Sequence, residues 1–212
     1  MIRQIIDKYL RKYHKIKTWQ IYCNKTKYHF LDNPQISVDG EETHGVPSVE
    51  VYDDTAKLSI GRYCSIAAEC KIILGGNHHT RWASTYAFYQ EPQFFPRFTA
   101  LGQTHSVRHG NVSIGNDVWI GRNTLLLPSC QIDDGAIIGG GSVVAGHIPA
   151  YAIAVGNPCK VIKYRFTDGQ IESLLKIKWW NWNHEQINEK LHLICNEDIN
   201  AFIEDCKRDG LL

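Results

Sequence analysis

Aliphatic residues recur at every sixth position in the second half of the chain, with mainly polar and glycine residues between them. The repeats read IGNDVW, IGRNTL, LLPSCQ, IDDGAI, IGGGSV and VAGHIP, over residues 114–149. The aliphatic positions are Ile114, Ile120, Leu126, Ile132, Ile138 and Val144, and the mostly small fifth positions are Val118, Thr124, Cys130, Ala136, Ser142 and Ile148. Neither an α-helix nor a simple strand keeps a period of six on one face. We therefore expect the chain to turn a corner in every hexad.

Three hexads close one triangular coil if each hexad forms a short flat face followed by a turn. The aliphatic side chains then stack inside, at the spacing of roughly 4.8 Å between neighbouring strands. A shorter run, IGRYCS IAAECK II, repeats the pattern with Ile60, Ile66 and Ile72 at aliphatic positions and Cys64 and Cys70 at fifth positions. Together with Cys130, these two cysteines are predicted to be small inward-packing residues rather than nucleophiles or metal ligands.

The hexapeptide period resembles that of the left-handed parallel β-helix acyltransferases. The resemblance implies a mainly β fold with an extended active-site loop and a helical C-terminal cap. We expect an amphipathic helix and lead-in at 1–34, the β-helix at 35–160 with an inserted loop at 75–111, and the cap at 161–212. Three segments with helical patterning, TDGQIESLLKIKWW, NHEQINEKLHLI and EDINAFIEDC, offer material to cover the exposed ladder edges at the end of the coil.

The hexad rule fails between Leu74 and Asn111, where about 35 residues are rich in aromatic side chains. A loop of this length in a compact domain is usually functional when its composition is too apolar for disorder. Its start, GGNHHTRWASTYAF, resembles the loop of the xenobiotic acetyltransferases, which modify chloramphenicol and streptogramins, and of related sugar acetyltransferases from polysaccharide gene clusters. Downstream, GNDVWIG, AVGNPCK and RFTDGQIESLLKIKWWNW are similar to the same branch, so the resemblance covers roughly residues 56–185.

His78 is the candidate general base, because the resemblance gives that role to the histidine directly after the Gly–Asn pair. A histidine, with an unperturbed pKa near 6.5, can take a proton from a hydroxyl or amine at neutral pH. On an extended segment the adjacent His79 would point to the opposite side, so only one of the two can face the cleft. The loop also supplies the candidates for acceptor binding, which are Asn77, Trp82, Tyr86 and Phe88. The sequence lacks a G-x-S-x-G nucleophile motif, which favours direct transfer over an acyl-enzyme.

The resemblance implies acetyl-CoA as the co-substrate, held in a groove between neighbouring subunits of a homotrimer. The candidate contacts are Ala136, Ser142, Ala154, Lys160 and Arg165. Ala136 and Ala154 are eighteen residues apart, which is one full coil, so we expect one to lie above the other. Lys160, with Lys163 and Arg165 beyond it, would supply charge for the CoA phosphates.

Two positions depart from the pattern of the branch. The T-K-D that often precedes the last proline is replaced by Ala145, Gly146 and His147, which removes a lysine expected to contact CoA. In the loop, Ala87 stands where the branch often has a proline in S-T-Y-P-F. Tyr86 and Phe88 on either side remain as aromatic walls that suit both sugar rings and drug-like acceptors.

These features predict an acetyltransferase that moves an acetyl group directly to a hydroxyl or amino group of a sugar-type small acceptor. The alternative is an antibiotic-inactivating enzyme that acts on chloramphenicol or a streptogramin. A non-enzymatic repeat scaffold and a zinc carbonic anhydrase are more remote alternatives. The anhydrase would need three converging histidines, drawn from His105, His109, His147 and the pair at 78–79. We expect no bound metal.

Composition narrows the partners and the location. The 212 residues include 23 Lys and Arg against 22 Asp and Glu, so no global charge favours a nucleic-acid partner. Seven scattered cysteines without a C-x-x-C pair indicate reduced thiols, and no apolar run of about 18 residues could span a bilayer, so we expect a cytoplasmic enzyme. Residues 1–17 are basic and amphipathic, which predicts docking on the protein itself or on a neighbouring subunit, with peripheral membrane contact as the alternative.

Overall fold

The structure is a computed structural model that describes residues 26–30, 32–102 and 110–212, so the amphipathic segment predicted at 1–17 lies outside it. Its strands are β1 (Ile36–Val38), β2 (Ser48–Val51), β3 (Leu58–Ile60), β4 (Ser65–Ile66), β5 (Lys71–Leu74), β6 (Val112–Ile114), β7 (Trp119–Ile120), β8 (Leu125–Leu126), β9 (Gln131–Ile132), β10 (Ile137–Ile138), β11 (Val143–Val144), β12 (His147–Ile148), β13 (Ala152–Val155) and β14 (Lys160–Tyr164). Its helices are α1 (Thr26–His29), α2 (Pro96–Ala100), α3 (Asp168–Ile177), α4 (His184–Ile194) and α5 (Ile199–Arg208), with 3₁₀ turns at Phe88–Gln90 and Trp179–Asn181. None of these helices is both long enough and apolar enough to cross a membrane.

The strands form three sheets, which are the three faces of a triangular coil. Their orders are β1-β3-β6-β9-β12, β4-β7-β10-β13-β14 and β2-β5-β8-β11. All the pairs in these sheets are parallel except β13 with β14, which is antiparallel. From β3 to β11, consecutive strands belong to different sheets, so each turn of the chain adds one strand to every face. The three-sided parallel coil predicted from the six-residue period is confirmed.

The aliphatic positions of successive hexads are stacked inside the coil. Ile60 pairs with Ile114 and Ile114 with Ile132 on one face, Ile66 with Ile120 and Ile120 with Ile138 on the second, and Ile72 with Leu126 and Leu126 with Val144 on the third. Each of these side chains is buried. Cys64, Cys70 and Cys130 are also buried, and burial raises the pKa of the Cys64 and Cys130 thiols to about 12. The prediction that these three cysteines pack inward is confirmed.

The last coil departs from the predicted register, because one corner is two residues shorter than the corners of the regular hexads before it. Ile148 pairs with Ile132 and Ala154 pairs with Ile138, each sixteen residues apart instead of eighteen. Gly146 adopts a φ of 80° at this shortened corner, and its carbonyl accepts a ladder hydrogen bond. The prediction that Ala154 lies one coil above Ala136 is therefore wrong. Ile148 likewise occupies an aliphatic position and not a small one.

The corners share a backbone conformation that the hexad pattern did not reveal. One residue directly before each small fifth position has a left-handed φ of 54–72°, namely Tyr63, Glu69, Asp117, Asn123, Ser129, Gly135 and Gly141. This conformation is uncommon for residues other than glycine. The stacked ladders on both sides of each corner impose the turn, and the small side chain that follows fits inside it.

The C-terminal helices lie against a corner of the coil. Trp179 contacts Tyr63 at a ring distance of 5.0 Å, and Phe166 contacts Tyr151 at 5.6 Å. The buried cluster at this contact consists of Tyr151, Leu174, Ile177, Trp180, Trp182, Phe202, Ile203 and Cys206. Tyr63 belongs to an early coil and Tyr151 to the last, so these contacts extend along the side of the coil. The edge of β13 is covered by the antiparallel strand β14, and the helical cap over the end of the coil stays a prediction.

An ion pair between Glu42 and Arg62 ties the first coil to the second. Arg62 Nη2 lies 2.8 Å from Glu42 Oε1, and His184 Nε2 at the start of α4 lies 3.0 Å from the same oxygen. Burial raises the pKa of Glu42, but hydrogen bonds from Arg62, from its own backbone and from His184 outweigh it and lower the pKa from 4.5 to about 2. The ionised carboxylate therefore stabilises the fold above pH 4.5, and this contribution is lost as the pH falls towards 2.

Replacing Glu42 with glutamine should lower the free energy of unfolding at pH 7 by about 1–2 kcal/mol, allowing for solvent screening of the pair. Between pH 4.5 and 2, the stability of the variant should also fall less than that of the wild type. Denaturant unfolding at fixed protein concentration measures both effects. Glu172→Gln, which removes an exposed pair with Lys176, is the matched control and should change stability little. Equal unfolding free energies for wild type and Glu42→Gln at pH 7 would contradict the prediction.

Candidate active site

The segment between β5 and β6 leaves the coil at Gly75 and returns to the same point at Gly110. A Cβ atom on Gly110 would lie 2.5 Å from the backbone nitrogen of Gly75, so the two ends of the loop touch. Gly75 has a φ of 76°, and a Cβ atom there would lie 2.4 Å from Cβ of Asp53. Only glycine meets both requirements. The loop leaves and rejoins the coil at one corner. The strand before it, β5, therefore still pairs in register with β8, and the strand after it, β6, with β3.

His78 lies just after this exit, with an exposed side chain. Its Nδ1 atom lies 2.6 Å from the carbonyl oxygen of Thr85. A carbonyl oxygen can only accept, so Nδ1 carries the proton in this contact. Nε2 is then the basic nitrogen of the neutral imidazole. The loop thus presents an accessible histidine in the tautomer that a general base requires.

His79 has a different set of neighbours from His78. Its ring stacks on Trp82 with centroids 4.0 Å apart and an interplanar angle of 12°. Trp82 is half-buried, and its ring meets Phe98 of α2 edge to face at 6.4 Å. Among the described residues, His78 thus contacts the Thr85 carbonyl and His79 contacts the Trp82 ring.

Tyr86 and Phe88 belong to an aromatic cluster that follows the carbonyl bound by His78. Their rings are 5.0 Å apart, and Phe88 also meets Phe95 at 4.9 Å. The Tyr86 hydroxyl donates a hydrogen bond of 2.8 Å to Glu91 Oε1, and this bond raises the pKa of the hydroxyl. Tyr86 is 47% exposed, so the cluster presents an aromatic face to solvent. The fourth acceptor candidate, Asn77, is exposed directly before His78.

Three of the five candidates for CoA binding have side chains in the core of the coil. Ala136, Ser142 and Ala154 are fully buried. The Ser142 hydroxyl donates to the Gly139 carbonyl at 2.6 Å and accepts from the Gly156 backbone nitrogen at 3.0 Å. The hydroxyl therefore joins neighbouring parts of the coil, and contacts from these three residues to an outer ligand are restricted to the main chain.

The two cationic candidates differ in their surroundings. Lys160 begins β14 with an exposed side chain, and Lys163 on the same strand is also exposed. Arg165 is held at the corner under the C-terminal helices, where Nη1 donates to the Gly135 carbonyl at 2.7 Å and meets Asp117 Oδ2 at 3.2 Å. The Arg165 side chain therefore binds within the fold, whereas the exposed side chains of Lys160 and Lys163 can reach a ligand.

The structure gives no support to a metal site in the part of the chain that it describes. No group of His, Cys, Asp and Glu residues in 26–30, 32–102 and 110–212 could hold a metal ion. His147 Nε2 lies 2.6 Å from Asp133 Oδ2 on the outside of the coil. The other two histidines considered for zinc, His105 and His109, lie outside the described residues.

A cleft of about 470 Å³ opens where the loop rejoins the coil. It is lined by Thr55, Ala56, Gly110, Asn111, Ser113, Ser129, Cys130 and Gln131, and hence mainly by small and polar residues. None of the predicted site residues lines it.

Two contacts of the candidate site could not be predicted from the sequence. The Thr85 carbonyl that orients His78 is a main-chain group, so no residue type at that position could have indicated it. Glu91, which accepts the Tyr86 hydrogen bond, gave no signal either, because an acidic residue in a loop is usually solvated. The two glycines before Asn77 were the available sign that the chain changes direction at this point.

Comparisons with known proteins agree with this architecture. The bacterial transferase hexapeptide model (six repeats) matches residues 111–146. Over 152 residues the chain is 41% identical to a chloramphenicol acetyltransferase of Klebsiella aerogenes, a match that covers 69% of this chain and 70% of the relative. It is 42% identical over 142 residues to a probable macrolide acetyltransferase of Lysinibacillus sphaericus, covering 66% of this chain and 78% of the relative.

A third relative is also an acetyltransferase. The chain is 41% identical over 143 residues to a virginiamycin A acetyltransferase of Staphylococcus aureus, covering 68% of this chain and 65% of that protein. The matches to all three enzymes span about two thirds of the chain. With its six-residue period and its three-sided parallel coil, the chain therefore belongs to the hexapeptide-repeat acetyltransferases, in the branch that contains the chloramphenicol and virginiamycin enzymes.

Proposed function

We propose that this acetyltransferase moves an acetyl group from acetyl-CoA to a hydroxyl group of an antibiotic of the chloramphenicol or streptogramin class. The observation that carries the proposal is the 41% identity to a chloramphenicol acetyltransferase over most of the chain. The sequence alone favoured a sugar acceptor, whereas these relatives favour an antibiotic acceptor, the alternative. The exposed aromatic face of Tyr86 suits such a partly apolar acceptor.

In the proposed mechanism, Nε2 of His78 removes the hydroxyl proton of the acceptor as its oxygen attacks the acetyl carbonyl carbon. Nδ1 keeps its hydrogen bond to Thr85, which fixes the tautomer and stabilises the imidazolium that forms. The new C–O bond forms, the C–S bond breaks, and His78 returns the proton to the departing thiolate sulfur. This sequence needs no acyl-enzyme. The buried thiols of Cys64 and Cys130, with a pKa of about 12, are unsuited to form one.

The exposure of each candidate side chain indicates how it could contact acetyl-CoA. Lys160 and Lys163 are exposed on β14 and can meet phosphate groups of the co-substrate. Ala136, Ser142 and Ala154 would contribute through the main chain, since their side chains are buried. We also propose that the coil winds left-handed and that the protein forms a homotrimer, as the resemblance to the family implies. The co-substrate would bind in the groove between two subunits.

Thiol release from acetyl-CoA tests the choice of acceptor. The purified protein should release CoA when chloramphenicol or a streptogramin is added, at a rate at least about tenfold above the rate with maltose or a nucleotide-linked amino sugar. Mass spectrometry of the products should show one added acetyl group on the antibiotic. 3-O-Acetylated chloramphenicol, in which the primary hydroxyl is already blocked and the secondary hydroxyl is still free, is the control for transfer to the primary hydroxyl. Release with the sugars alone would overturn the proposed acceptor and restore the sugar acceptor.

A further inference from the structure

We infer that Trp82 is a positioning residue that holds the His78 segment through His79, and that it is not part of the acceptor wall. The inference rests on the proposed role of His78 as the general base. It changes the role that the sequence assigned to Trp82, which was acceptor binding.

The first step is the contact between His79 and Trp82. Their rings are nearly parallel at 4.0 Å, and His79 is bonded through the chain to His78. Aromatic pairs of this kind contribute about 0.5–1.5 kcal/mol beyond the burial of their surfaces. The stack therefore restrains the backbone that carries the base. It also covers one face of the Trp82 ring, which is then closed to an acceptor.

The second step is the anchoring of Trp82 itself. Its ring meets Phe98 at 6.4 Å, and Phe98 meets Phe88 at 6.4 Å, so the indole is joined to the aromatic cluster of the loop. Trp82 and Phe98 are half-buried, whereas Phe94 in the same loop is 71% exposed. The tryptophan is thus packed against the aromatic cluster and is less exposed than Phe94.

The backbone that carries His78 needs such a restraint if His78 is the general base. His78 lies in a segment that begins with two glycines, Gly75 and Gly76, at φ of 76° and 82°, and its side chain is exposed. Glycines leave the backbone more freedom than other residues, so a contact at His79 adds a restraint on this segment. Its ring is fixed by the Thr85 carbonyl, seven residues later, and the stack on Trp82 lies between these two points of the chain. A displacement of about 1 Å in a catalytic group costs roughly 100-fold in rate.

Steady-state kinetics separate positioning from acceptor binding. With chloramphenicol as the probe, Trp82→Ala should lower kcat about 10- to 100-fold and leave the acceptor KM within about twofold of wild type. Trp82→Phe keeps a ring for the stack and should recover most of kcat. His79→Ala removes the stack from its other side, without loss of the large indole, and should lower kcat similarly. Phe94→Ala, an exposed aromatic deletion in the same loop, should leave kcat unchanged.

A double-substitution cycle shows whether Trp82 works through the base. In a His78→Ala background, Trp82→Ala should reduce the residual rate by less than about twofold, because there is no imidazole left to position. An acceptor KM that rises with kcat unchanged would overturn the inference in favour of an acceptor wall. An equal loss of rate with and without His78 would overturn it in favour of general loosening of the loop. A wild-type kcat in His78→Ala alone would remove the proposed mechanism and this inference with it.

Discussion

Replacing His78 with alanine should lower kcat by about 100-fold or more, because the acceptor hydroxyl then loses its proton to water instead of to a positioned imidazole. The KM for acetyl-CoA should change little, since the co-substrate contacts proposed for Lys160 and the main chain of the coil do not involve the loop histidine. Initial rates of thiol release at saturating chloramphenicol and saturating acetyl-CoA measure the effect.

His192 offers a matched control for this substitution. Like His78 it is exposed and places Nδ1 near a backbone carbonyl, that of Glu189 at 3.1 Å, but it lies on α4. His192→Ala should therefore retain wild-type kcat. His78→Gln tests the same point with similar bulk, since an amide can keep a hydrogen bond but cannot take up the proton. Retention of more than about a third of wild-type kcat in His78→Ala would contradict the assignment of the base.

Replacing Leu126 with alanine should lower the free energy of unfolding by about 2–5 kcal/mol. Leu126 is 1% exposed and stacks between Ile72 and Val144, so its loss leaves a cavity in the middle of the coil. Its neighbour Leu125 is half-buried and faces outwards, because alternate side chains of a strand lie on opposite faces. Leu125→Ala should therefore cost less than about 1 kcal/mol.

This pair of substitutions compares the same residue type at adjacent positions of one strand, β8. Unfolding by denaturant at a fixed protein concentration gives both values, and the fixed concentration removes the effect of subunit association. Equal losses for Leu125→Ala and Leu126→Ala would contradict the inward register of the hexads.

The coil could be predicted because its constraint is local and repeated. One aliphatic residue at every sixth position specifies which side chains enter a three-sided interior, and the burial of residues such as Ile120 and Ile132 agrees with that rule. The rule failed at Gly146, where a left-handed φ shortens a corner by two residues. A glycine in a repeat already rich in glycine does not reveal that two residues are missing from a turn.

The site could be predicted only in part. The loop and its histidine pair stood out because they interrupt the period, and the resemblance singled out His78. The contact that orients its ring is made by a backbone carbonyl, that of Thr85, which no residue identity specifies. The hydrophobic pattern also could not predict where the C-terminal helices pack on the coil. Amphipathic helices indicate that an apolar face is buried but not whether it lies on the end of the coil or along the corner at Tyr63 and Tyr151.

The most direct test of the proposed mechanism is the distance between His78 Nε2 and the acceptor hydroxyl oxygen in a crystal structure with CoA and chloramphenicol bound. A distance of about 2.6–3.2 Å, with Nδ1 still on the Thr85 carbonyl, is the predicted result. An imidazole turned away from the hydroxyl, with no water between them, would contradict it.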